Sequence, residues 1–73
     1  MRWIVYVSSF YWLKKNAVRL GVDYAPGTYD PLDGRIEVWA LPGASEGAIV
    51  EGFDEAGIEY VPLRPGKVGT TGL

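Results

Sequence analysis

The sequence predicts one α+β domain with the element order β-α-β-β-α-β, and three observations carry that expectation. An internal repeat divides the chain: Gly21-Val22-Asp23-Tyr24-Ala25-Pro26 returns as Gly57-Ile58-Glu59-Tyr60-Val61-Pro62, and Arg2-Trp3-Ile4-Val5-Tyr6-Val7 resembles Arg35-Ile36-Glu37-Val38-Trp39-Ala40. Within each half, apolar residues alternate, then recur at helical spacing, then alternate again. Glycines and prolines stand where those periods switch, as chain reversals require.

Taken in order, residues 2–7 form the first strand, and Ser8 or Ser9 caps a helix over 10–20 that Gly21 ends in the left-handed conformation. A second strand covers 22–26. Residues 26–34, Pro-Gly-Thr-Tyr-Asp-Pro-Leu-Asp-Gly, are dense in turn formers and join it as a long hairpin to a third strand at 35–41. Ser45 caps a second helix beginning at Glu46, Gly57 stops it, and a fourth strand covers 58–63. The second half carries three extra residues in its strand-to-helix loop. Residues 1–63 are expected to be the domain, and 64–73, without periodicity, a flexible tail unless Val68 and Leu73 dock on a partner.

This order is that of the split βαβ, or ferredoxin-like, fold: a four-stranded antiparallel sheet in the order 4-1-3-2 with two helices on one face. Pro26 and Pro62 are then expected at the ends of the edge strands, where a missing N–H does least harm. Phe10, Leu13, Ala17 and Leu20 make the inner stripe of the first helix, and Ile49, Phe53 and Ala56 that of the second. Leu13 aligns with Ile49, Ala17 with Phe53 and Leu20 with Ala56. Helix one is basic at Lys14, Lys15 and Arg19 and helix two acidic at Glu46, Glu51, Asp54 and Glu55, so the two are expected to attract.

Composition narrows the functional classes. With 48% hydrophobic residues, three Trp, five Tyr and two Phe in 73 residues, the chain is that of a folded domain. It has no cysteine, hence no disulfide or thiolate chemistry, and no histidine, the commonest general base and metal ligand. Binding rather than catalysis is therefore the default expectation, without cofactor or metal. Asp30 and Asp33 read as turn chemistry, since a calcium loop needs more oxygen ligands at fixed spacing. The run Trp3-Ile4-Val5-Tyr6-Val7 is too short to span a bilayer or serve as a signal core, so a cytoplasmic protein without membrane contact is expected. Net charge is −2, with Arg2, Lys14, Lys15 and Arg19 in the first twenty residues and all nine carboxylates between Asp23 and Glu59.

The strand alternation assigns two faces. Trp3, Val5, Val7, Ile36, Val38 and Ala40, with Val22, Tyr24, Ile58 and Tyr60, point at the helices. Arg2, Ile4, Tyr6, Arg35, Glu37, Trp39 and Leu41 point away, flanked by Asp23, Ala25, Glu59, Val61 and Leu63. A contiguous apolar patch there marks an interface, and the expected partner is a protein or a second copy of this chain. The expected contact residues are Arg2, Ile4, Tyr6, Arg35, Glu37, Trp39, Leu41 and Val61. A chain of this size could then act as a regulator or an inhibitor. In centred antiparallel register Arg2 falls opposite Trp39 and Arg35 opposite Tyr6, as cation–π pairs. Tyr11 and Val18, with Lys14, Lys15 and Trp12 nearby, could form a second surface on helix one.

Two resemblances add alternatives. Tyr6 and Trp39 on the central strands resemble the base-stacking aromatics of the RNA recognition motif, which implies single-stranded nucleic-acid binding. Arg35-Ile36-Glu37-Val38-Trp39-Ala40 lacks that family's glycine and clustered aromatics, and Asp23, Glu37 and Glu59 would repel phosphates. Leu41-Pro42-Gly43, followed by a helix and Gly57-Ile58, looks like the ligand loop of the ACT domain. That implies a small-ligand sensor with Ser8, Ser9, Pro42 and Gly43 as its loop residues, Ser8-Ser9 standing where Pro-Gly would recur in the first half.

Overall fold

The computed structural model describes residues 1–63; the segment 64–73, assigned above to a tail, lies outside the described residues. The elements are β1 (Arg2–Tyr6), α1 (Phe10–Leu20), β2 (Val22–Tyr24), a 3-10 turn (Pro26–Thr28), β3 (Arg35–Ala40), α2 (Glu46–Ala56) and β4 (Glu59–Leu63). The four strands form one antiparallel open sheet in the order β2-β3-β1-β4, which from the other edge is 4-1-3-2. With two helices packed on one face, the arrangement is compatible with a ferredoxin-like one.

Alternation fixes the layers. Trp3 and Val5 on β1 and Ile36 and Val38 on β3 are buried, whereas Ile4, Tyr6, Glu37 and Trp39 between them are only half-buried. The buried set meets Leu13, Ala17 and Leu20 of α1 and Ile49 and Phe53 of α2 in one core, completed by Val7 and Val22. Tyr24, Ala40, Ile58 and Tyr60, expected on this side, are partly buried against it. The Trp3 and Phe53 rings meet edge to face at 5.6 Å between centroids, and Phe53 lies 5.2 Å from Tyr60.

Each helix begins and ends as its sequence dictates. The Ser9 hydroxyl accepts from Trp12 N–H at 3.0 Å and the Ser45 hydroxyl from Ala48 N–H at 3.2 Å. Gly21 and Gly57 close the C-termini in the left-handed region. Ser9, not Ser8, is thus the cap of α1. Ser9→Ala is expected to cost about 1 kcal/mol and Ser8→Ala nothing measurable, read as shifts in the urea midpoint.

Several expectations are corrected. Pro62 lies within β4, opposite Trp3, rather than at the strand's end. Strand β2 stops at Tyr24, and Pro26 opens a 3-10 turn that the sequence reading placed in an undivided hairpin. Pro26 fits there because its fixed φ suits a helical first position. Ala56 is exposed: Leu20 reaches across to α2 one turn earlier, its Cδ2 3.0 Å from where a β-carbon on Gly52 would sit. The opposite charges of α1 and α2 form no ion pair among the described residues. Arg19 instead donates to Asn16 Oδ1 on its own helix at 2.7 and 3.2 Å, and the Lys15 ammonium lies 5.4 Å from the centroid of the Tyr11 ring.

Candidate functional site: the open sheet face

Register places the outward residues on a grid. Across the sheet, one row runs Asp23, Trp39, Arg2, Leu63; a second contains Glu37, Ile4 and Val61; a third contains Arg35, Tyr6 and Glu59. Ala25 extends the second row by donating its N–H to the Glu37 carbonyl at 3.1 Å, and the bridge Asp30–Arg35 extends the third. Arg2, Ile4, Tyr6, Arg35, Glu37, Trp39 and Val61 therefore share one surface, with Leu41 just past the end of β3. Val61 is 50% exposed on this face. No helix covers this face among the described residues.

Its chemistry is mixed. Arg2 Nη1 donates to Glu37 Oε2 at 3.1 Å, and its guanidinium carbon lies 5.4 Å from the Trp39 ring centroid. One arginine thus links a carboxylate and an indole of the adjacent strand through an exposed pair of the kind that contributes about 0 to 1 kcal/mol. Arg35 is opposite Tyr6 as the register expectation had it, but of the two expected cation–π pairs only Arg2 with Trp39 forms among the described residues.

The sequence reading missed Thr28. Its hydroxyl donates to the Ala25 carbonyl at 2.7 Å and accepts from Glu37 N–H at 2.9 Å, so the 3-10 turn continues the sheet edge where β2 stops. Thr28, with Ile4, Arg35, Glu37 and Leu63, lines a shallow hollow of about 470 Å³ on this face. The signal was present in Pro26-Gly27-Thr28: a proline at a helical first position followed by a hydroxyl that can bond back to the backbone.

The four loop residues do not converge. Because β1 and β3 are antiparallel, Ser8-Ser9 leaves one end of the sheet and Pro42-Gly43 the other. Ala44 N–H donates to the Leu41 carbonyl at 3.0 Å and Gly43 has φ of 84°, so Leu41 to Ala44 is a type II turn with proline and glycine at its two central positions. Ser9 is engaged as the α1 cap, and Ser8 borders a small hollow with Tyr6, Trp12 and Gly57. Asp30 Oδ1 accepts from Leu32 N–H and Asp33 Oδ1 from Arg35 N–H, which is the turn chemistry expected of both aspartates. Among the described residues, no cluster of three or more metal-ligating side chains occurs, and no helix is long and apolar enough to cross a membrane.

No protein-family model, curated protein or solved structure matches this chain.

Proposed function

We propose that this chain is a non-enzymatic binding module of ferredoxin-like fold that engages a protein surface through its open sheet face. The observation that supports this most is the juxtaposition of Ile4, Tyr6, Trp39 and Val61 with two arginines on one face that no helix covers among the described residues. Aromatics and arginine dominate binding energy at protein interfaces, and rigid strands hold them at little entropic cost. Its acids, Asp23, Glu37 and Glu59, oppose a phosphate backbone and suit a protein partner instead.

The test compares two surfaces. Association, with itself or with a captured protein, is expected to be lost in Trp39→Ala and retained in Tyr11→Ala on the outer side of α1, where Tyr11 is 66% exposed. Both variants should keep the wild-type helical circular dichroism. The opposite pattern would transfer the binding surface to α1. Quenching of Trp fluorescence by single-stranded oligonucleotides, weakening steeply with salt, would replace the protein partner by a nucleic acid.

A further inference from the structure

The backbone groups at both edges of the sheet are largely engaged among the described residues. Val7 N–H donates to the Gly34 carbonyl and Ala40 N–H to the Met1 carbonyl, while the Glu37 backbone is used toward Thr28 and Ala25. In an alternating antiparallel ladder, this turns the backbone groups of Arg2, Ile4 and Tyr6 toward β4. Glu59, Val61 and Leu63 pair with them, and Tyr60 and Pro62 face outward. Pro62 has no N–H to offer there. At the other edge β2 has three residues and gives way to the 3-10 turn. Among the described residues neither edge offers a long run of donors and acceptors to an added strand, which favours association through the face.

We infer that the occupant of this face is a second copy of the chain, related by a two-fold axis running along the strands between β1 and β3. The inference rests on the sheet-face reading above and goes beyond it by naming the partner and its orientation. This axis stacks β1 on the second copy's β3 and β2 on its β4, with rows preserved. Arg2 then lies over the second copy's Trp39, Arg35 over its Tyr6, Ile4 over its Glu37 and Val61 over its Ala25. Each cation meets an aromatic ring, and each contact occurs twice, as a closed two-fold interface requires. The like-charge pair it creates, Asp30 with Glu59, falls at the rim, where solvent screens it. A two-fold axis across the strands would instead stack Glu37 on Glu37 at the centre. The face measures roughly 19 by 17 Å from standard strand spacings, about 320 Å² per copy against the ~800 Å² per partner of a standard specific interface, so the dimer is expected to be weak and strongly concentration-dependent.

The experiment uses the full chain. Light scattering over a concentration series is expected to show monomer passing to dimer, with Trp39→Ala raising the dissociation constant by about 30-fold. The absence of cysteine permits clean cross-linking: a mixture of Val61→Cys and Ala25→Cys is expected to give dimers with a short bismaleimide, and neither variant alone. Cross-linking of Val61→Cys with itself would overturn the orientation. A monomer at every concentration would overturn the second copy as partner while leaving the face open to another protein. A dimer indifferent to Trp39→Ala would overturn the sheet-face reading itself.

Discussion

Gly34→Ala is expected to lower the urea midpoint more than any other glycine substitution in the chain, at a cost of about 3 kcal/mol or more. Gly34 is the last residue of the hairpin before β3, buried, with φ of 76°, a region in which a β-carbon is strained by about 1 to 3 kcal/mol. Space makes it worse, since that carbon would overlap the Val7 carbonyl oxygen and crowd the Val7 backbone. Backbone on both sides leaves no flexible side chain to move aside. The Gly34 carbonyl also accepts from Val7 N–H at 2.9 Å, so relieving the overlap means breaking the bond that ties the hairpin to the end of β1. A 73-residue domain has about 4 to 11 kcal/mol in total by the usual stability per residue, and a loss of about 3 kcal/mol or more removes much of it. The check is urea denaturation followed by circular dichroism. Gly43→Ala should show the conformational strain alone, as nothing lies near its added carbon, and Gly27→Ala, with open space and no positive φ, should keep the wild-type midpoint. Equal midpoints for Gly34→Ala and Gly43→Ala would refute the steric account.

The elements that could be read from the sequence are those whose cause is local. Alternation at 2–7 and 35–40 named the buried and open faces because side-chain direction in a strand has a strict period of two, and a centred antiparallel pairing gave the register of β1 against β3. Serines and glycines at 9, 21, 45 and 57 set the helix ends for equally local reasons. What escaped depends on distant partners. Tyr29 looked like a loop residue, yet its ring lies 5.2 Å from that of Phe10, which also meets Tyr24 edge to face. Helix charges pointed to α2, and gave no sign that Arg19 would donate to Asn16 three residues away on its own helix. The candidate face was legible residue by residue. The hollow between its strands and Thr28 was not, because it depends on β2 ending early.

The repeat also limits how symmetric the core can be, and Phe53→Ala tests that limit. Phe53 is 1% exposed and contacts both Trp3 and Tyr60, so its truncation is expected to cost about 3 to 5 kcal/mol. In the repeat alignment Phe53 corresponds to Ala17 and Trp3 to Ile36, so where Trp3 and Phe53 set two large rings against each other, the equivalent positions hold isoleucine and alanine. If the halves were interchangeable in packing, Ala17→Phe would restore the volume lost in Phe53→Ala. Ala17 is itself 3% exposed within a filled core, so the added ring has no space there and overpacks instead. The double variant is expected to be no more stable than Phe53→Ala alone, measured as the urea midpoint at constant slope. Recovery of the wild-type midpoint would mean that the two helices exchange roles freely. The asymmetry would then have no part in holding β1 and β3, and with them Arg2 and Trp39, in the register that builds the open face.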